Sequence, residues 1–374
     1  MLNAEQKLIW KKFKNNKPAL FGLTFIILAI MVAVLGANIR PDDTENANEM
    51  CISLARKKPG FKQLFLSIPT SNKIEFENKI FLQKTFFGGN QSSHKIIPIA
   101  KYHFNANKIF FTEFADDGFV GDTASYYLSD FGEDYSQEKI ETIFIKNKTF
   151  WLGTDRFGRD VLSRIMAGTM VSLSIGFVAV FIALLIGISL GATAGYFGGY
   201  VDAVISWFIN IVWAIPTLLL VIAITLALGK GYWQVFIAVG CTTWVDVARV
   251  VRAQFMSLSK KEFVEASRAL GYSNSRIIFK HILPNASSPI IVLSASNFAN
   301  AILMEAGLSF LGIGAQPPTP SWGSMIKDHY GYIIMDSAYL AIIPGAAIML
   351  LVLSFIMVGN GLRDALDSKL VLNV

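Results

Sequence analysis

Apolar residues in this chain gather into long runs separated by polar stretches. Six of the runs approach the ~20 residues that a helix needs to cross ~30 Å of hydrocarbon. They cover residues 19–37, 173–194, 203–228, 233–251, 290–311 and 338–358. The fourth carries Asp246 and Arg249 near its end and is expected to face protein, because a charge set against lipid is costly. Pro216 in the third run and Pro344 in the sixth free backbone carbonyls and permit kinks. Gly187, Gly191 and Gly195 recur every fourth residue, a small-residue ridge suited to close helix packing.

Between the first two runs lies a polar island, residues 38–150. Short or alternating apolar runs at 73–82, 94–104, 108–114 and 141–151, bounded by Gly, Asn and Asp, predict strands of a small β-rich domain. Its aromatic content argues against disorder, and its size allows a modest core. The chain therefore divides into residues 1–37 (N-terminus and first helix), the insert 38–150, and a core 151–374 that includes a loop at about 252–289.

Charge orients the spans. Lys7, Lys11, Lys12, Lys14 and Lys17 precede the first run against Glu5 alone, which places the N-terminus in the cytoplasm. That run is longer than the apolar part of a cleaved signal, about 7–15 residues, and reads as an uncleaved anchor. Six crossings return the C-terminus to the cytoplasm, leave residues 38–172 outside, and put the basic 252–289 loop inside. Arg156, Arg159 and Arg164 fall on the outer side, at the end of a long translocated segment where the charge rule is weak.

Composition narrows the function. With 53% hydrophobic and 16% charged residues, the chain is neither disordered nor a single soluble globule. The net charge of +6 is not organised into a basic helix with interleaved aromatics, so nucleic acid is not expected as a partner. Cys51 and Cys241 cannot form a disulfide framework and read as small buried hydrophobes. There is no GxxxxGK[ST], no HExxH and no serine elbow, and the four histidines make no catalytic pair or ligand cluster. The expectation is a protein that is not itself an enzyme, with no catalytic residues, bound cofactor or metal.

Three polar groupings remain. Asn297, Asn300 and Glu305 in the fifth run lie within roughly 140° of arc on a 3.6-period helix, as part of a solute path or as an interhelical hydrogen-bond cluster. Asp155, Arg156, Arg159 and Asp160 suggest an interfacial helix with internal pairs, either an outer docking contact or a charged cap on the second span. The loop KKEFVEASRALGYSNSRIIFKHILPNASSP predicts a helix over 262–270, a break at Gly271, a restart capped by Ser273 or Asn274, and a stop at Pro284. Phe263, Ala266 and Leu270 then share one side, forming either a docking ridge for a protein or an amphipathic face on lipid.

Glu265, Ala266 and Ser267, followed by Gly271 and by Leu283 and Pro284, resemble the EAA loop of ABC importer permeases, with Ser267 in place of the second alanine. WKKFKNNKPALFGL at 10–23, GTDRFGRDVLSRIMAGTMVSLSIG at 153–176 and MEAGLSFLGIGAQPPTPSWGSMI at 304–326 resemble the C-type permease of dipeptide and oligopeptide importers. GNGLRDALDSKL resembles that branch's ending, with Asn360 for Asp and Ser368 for Pro. The insert departs from the compact members, which have only a short link there.

The resemblance implies an all-α polytopic membrane protein with six transmembrane helices of the MetI-like permease type, in the bacterial inner membrane. It implies a B-type sister subunit, two cytoplasmic ATPases that bind ATP and Mg, and an extracytoplasmic solute-binding protein that delivers di- or oligopeptides. The loop around Glu265 and Gly271 would be the coupling helix that enters a cleft on an ATPase. Nickel, glutathione or a peptide antibiotic are the alternative cargoes, and a proton-coupled carrier is the alternative mechanism.

Overall fold

The computed structural model describes residues 4–69, 94–116, 121–132, 136–229 and 231–366. Helix α1 (Ala4–Asn15) is followed by α2 (Lys17–Ile39), whose cap Asn16 accepts the backbone N–H of Ala19 and whose first turn holds a proline. After the insert and its helix α3 (Gln137–Phe144) come α4 (Val161–Phe197), α5 (Gly199–Ala214), α6 (Thr217–Leu228) and α7 (Tyr232–Leu258). The chain continues through α8 (Glu262–Ala269), α9 (Asn274–Ile277), α10 (Leu283–Phe310), α11 (Trp322–His329) and α12 (Tyr339–Leu366). Among the described residues, five helical stretches are long and apolar enough to cross a membrane, and the bent pair α5–α6 makes a sixth.

The glycine ridge sets how α4 and α7 run. A Cβ on Gly187 would stand 2.5 Å from that of Val247, one on Gly191 2.5 Å from the carbonyl of Ala248, and one on Gly195 2.5 Å from that of Arg252. Matching numbers rise together along both helices, so α4 and α7 lie parallel at backbone contact. Parallel neighbours need a return crossing between them, and α5–α6 supplies it.

That crossing is not one kinked helix as 203–228 suggests. The two halves meet at 90°. Pro216 has no N–H to donate, and its ring excludes the residue before it from helical geometry; Ile215 is extended (φ −87, ψ 128). A second proline has the opposite outcome. The helix expected to stop at Pro284 runs through it, and Asn274–Phe310 forms one 37-residue stretch. A π-turn at Ile278–Ile282, closed by Leu283 N–H to the Ile278 carbonyl, widens the ladder just ahead of the ring, so the missing donor leaves the helix intact.

The apolar core joins α2, α4, α10 and α12, with Phe298 stacked on Phe355 at 4.0 Å between ring centroids. At one end of the bundle Phe13 and Ala19 pack against Ala365, so the start of α2 and the end of α12 are neighbours.

Among the described residues, the insert is a five-stranded antiparallel sheet in the order β4-β3-β2-β1-β5. Its strands are β1 (Phe61–Pro69), β2 (His94–Asn105), β3 (Lys108–Glu113), β4 (Thr123–Tyr127) and β5 (Ile145–Phe150). The runs at 94–104 and 108–114 are strands as expected. The run at 141–151 divides, because Ser136 caps a helix that lasts to Phe144 before β5 begins. The run at 73–82 lies outside the described residues. Alternation splits the sheet into two faces. Leu66, Ile68, Ile99 and Phe111 pack beneath α3, whereas Phe65 and Phe150 pack on Leu54 of the irregular segment that follows α2.

The strands begin at Phe61, and Phe61 pairs directly with Phe150. Entry and exit of the sheet are therefore about 4.5–5.5 Å apart. The domain extends a hairpin position without spreading the helices on either side. Joining Gly60 to Trp151 through a two-residue turn is expected to leave the bundle inserted, with unchanged membrane yield and helical circular dichroism. Loss of the protein from the membrane would show instead that the sheet holds this end of the bundle together.

Candidate functional site

At the end of the bundle that carries the insert, residues 151–160 form a turn closed by a bridge between Thr154 and Asp160, not the interfacial helix expected from the charges. Asp155, Arg159 and Asp160 are buried and Arg156 is partly exposed, so the quartet is not a shared docking face. Asp155 accepts the N–H groups of Phe157 at 2.8 Å and Arg159 at 3.0 Å, and the Arg159 guanidinium at 2.6 Å. Arg164 approaches the same carboxylate to 3.9 Å. Arg159 also donates to Asn48 at 3.1 Å and Arg164 to the Ala47 carbonyl at 3.4 Å, which draws the segment after α2 onto the turn.

Two neighbours complete the turn. Asp160 caps α4 through the Ser163 N–H at 2.9 Å, and burial raises its pKa against the lowering effect of the Ser163 bonds. Gly158 (φ +73) is pressed so close to Cys51 that a Cβ would fall 1.7 Å from its carbonyl oxygen. Arg156 reaches across to Asp328 of α11 at 3.2 Å, and the Tyr339 hydroxyl donates to the Lys57 carbonyl at 2.7 Å. Asn48, Thr154 and Tyr339 therefore belong to this cluster, although only Thr154 lies inside the motif legible in the sequence.

Asn297, Asn300 and Glu305 do not share one surface. Asn297 and Glu305 are buried inside this chain, and Asn300 is exposed. Ser309 donates to Glu305 at 2.6 Å and accepts from Ala315 N–H at 3.1 Å, so the carboxylate fastens the loop after α10.

At the opposite end, α8 closes in a Schellman turn. Gly271 N–H reaches the Arg268 carbonyl at 2.9 Å and Tyr272 N–H the Ser267 carbonyl at 3.2 Å. This geometry puts Gly271 at φ +75, where a side chain is strained, yet a Cβ there would meet nothing within 4 Å. Ser273, not Asn274, caps the restart, at 3.4 Å from Arg276 N–H. Val264 is fully buried in a cluster with Phe255, Ile277 and Ile282, which pins the knob to α7. Ser267 is buried too, and its hydroxyl returns to the Phe263 carbonyl at 2.7 Å, so serine fits where the pattern has alanine. Phe263, Glu265, Ala266, Leu270, Gly271 and Pro284 are exposed and Leu283 is partly buried. The apolar ridge Phe263–Ala266–Leu270, with Leu270 70% exposed, is left without a partner in this chain among the described residues.

Asp155→Asn should leave Arg159 and Arg164 buried beside a neutral group, at a cost of about 3–5 kcal/mol. The expected result is a large fall in thermal stability of the purified protein, while Arg156→Gln at the exposed pair changes it by less than about 1 kcal/mol. His329 gives a pH test. It is buried, with Nδ1 2.7 Å from the Met325 carbonyl, and burial holds its pKa below the ordinary 6.5. The unfolded chain thus takes up this proton first as pH falls, and stability drops below about pH 6.5. The midpoint of unfolding should fall less between about pH 7.5 and about pH 5.5 in His329→Gln than in the wild type.

Residues 183–372 match the family described as the binding-protein-dependent transport system inner membrane component. Residues 7–57 match the N-terminal TM domain of oligopeptide transport permease C. Over 220 residues, 59% of this chain, it is 46% identical to the dipeptide transport system permease protein DppC of Alkalihalophilus pseudofirmus, covering 72% of that protein. Over the same length, again 59% of this chain and 72% of the relative, it is 43% identical to the glutathione transport system permease protein GsiD of Salmonella typhimurium. A solved inward-facing MetNI methionine ABC transporter aligns over 54% of this chain and 95% of its own, with TM-score 0.45 and 19% identity. The family model over residues 183–372 and the two permease relatives agree: the chain belongs to the family of inner-membrane permease components of binding-protein-dependent ABC importers.

Proposed function

We propose that this chain is the C-type half of an ATP-driven importer of di- or oligopeptides. The observation that carries the reading is the exposed ridge Phe263–Ala266–Leu270 with Glu265 beside it, held rigidly by the buried Val264 and the Gly271 turn. A ridge of this kind, flanked by charge, is suited to a cleft on another protein, and rigid seating lets a push pass into α7 and α10. Two ABC ATPases would supply that push from ATP and Mg bound on their own chains, a B-type sister would complete the pore, and a solute-binding protein would deliver cargo. Glu265, Ala266, Ser267, Gly271, Leu283 and Pro284 form the coupling element.

The basic N-terminus and the basic 252–289 loop support an orientation with both termini cytoplasmic and residues 38–172 outside. The contact of α2's start with α12's end agrees with termini on one side. The insert would widen the surface offered to the binding protein. The peptide substrate follows from the dipeptide permease relative, and glutathione, itself a short peptide, follows from the second relative as the alternative cargo.

Gly271→Arg tests the coupling reading cleanly, because the space beside Gly271 is open within this chain. Backbone strain there is about 1–2 kcal/mol and is shared by Gly271→Ala. Gly271→Arg should stay in the membrane yet lose ATPase subunits on purification and lose peptide uptake at least about tenfold, while Gly271→Ala keeps most of both. Full uptake by Gly271→Arg would end the coupling assignment.

A further inference from the structure

Helix α7 is the most enclosed of the candidate spans, with 67% of its apolar window buried. Its remaining open strip holds two charges, Asp246 and Arg249. Asp246 lies within the apolar run 233–251, six residues and about 9 Å before Arg252, where the basic loop begins. A carboxylate inside an apolar run and turned out of its own bundle is costly against lipid. It requires water, a ligand or a partner. Arg249 is already placed over the Trp213 ring, 4.1 Å from the centroid.

One turn further along the same strip, Val250 borders a cavity of about 470 Å³ between α7, α10 and α12. Val292 contributes an apolar wall, Ser288 and Ser296 contribute hydroxyls, and Arg363 contributes the one cation among the described residues. The volume and the few polar groups on apolar walls are those of a small-molecule site, about 300–1,000 Å³. On α10 the open strip continues from Ser296 to Asn300, one turn toward the middle of the span.

We propose that this strip is the inner half of the solute path, and that it recognises a zwitterionic short peptide by its ends. Arg363 takes the terminal carboxylate at the cavity wall, Asp246 takes the terminal ammonium deeper in the span, and Ser296 and Asn300 bond the peptide backbone. Val292 receives side chains without distinguishing them closely. The assignment rests on the peptide-importer reading above. It replaces Asn297 and Glu305, which face inward, with Asp246, Ser296 and Arg363 beside Asn300.

The test uses the whole complex in proteoliposomes, with Cys51→Ser and Cys241→Ala as background. Asp246→Cys and Ser296→Cys should react with a cationic methanethiosulfonate reagent, and trialanine should slow that reaction at least about fivefold. Phe181→Cys, on an exposed apolar stripe of α4, should not react. Asp246→Asn should lower trialanine uptake about tenfold with ATPase stimulation retained, and Asp246→Glu should restore part of it. If Asp246→Cys and Ser296→Cys stay unreactive while the wild-type complex transports trialanine, the strip is covered by the sister subunit and the path is overturned while the importer reading stands. If both react but the wild type neither transports trialanine nor is protected by it, the peptide is overturned as occupant together with the proposed substrate class.

Discussion

The buried carboxylate of Asp155 is the interaction on which the insert-bearing end of this permease depends. It accepts two backbone N–H groups and the Arg159 guanidinium, and Arg164 lies within ion-pair range. A charge removed from water is tolerable only when it is paired and fully hydrogen-bonded, so the turn around it must hold one geometry. Through that turn the segment after α2, the start of α4 and the approach to α12 are joined. The sheet domain grows from the same place and rests on it through Phe65 and Phe150.

A second constraint governs the membrane part. Glycines at four-residue spacing let α4 and α7 touch at the backbone while running parallel, and parallel contact obliges the chain to cross back between them. Pro216 makes that return as two helices at a right angle. Outside the tight pair, α5 and α6 bury little of themselves, and Trp207, Trp213 and Leu219 remain exposed. The knob formed by α8 and the Gly271 turn is fixed to the closely packed α7 through Val264 and Phe255, so it cannot shift without that helix.

Much of this architecture could be read along the chain. Span positions follow from apolar runs of bilayer length, the glycine ridge from its spacing, and the Gly271 break from a residue that alone adopts φ +75 without strain. The loop that carries the family pattern is legible because its residues lie close together along the chain and Gly271 meets a local backbone need. Expectations failed where distant partners decide. The charged quartet at 155–160 resembles an exposed helix face until Asn48, Ala47 and Asp328 are brought to it. The 141–151 run has alternating strand character, but the cap at Ser136 and the packing of Phe144 on Phe131 make its first part helical.

The sequence by itself determined a membrane protein with a small β-rich insert and a loop of two short helices broken at Gly271, because hydrophobic periodicity, charge asymmetry and turn residues act over short distances. Only the tertiary structure decided which polar residues look inward and which outward. Asn297 and Asn300 are three positions apart on one helix, yet one is enclosed and the other open. The two prolines show the same division. Each removes one backbone donor, but Pro216 breaks its helix whereas Pro284 is absorbed by a π-turn. The deciding factor is whether the surrounding ladder can widen to leave the freed carbonyl satisfied, and a local pattern does not contain that information.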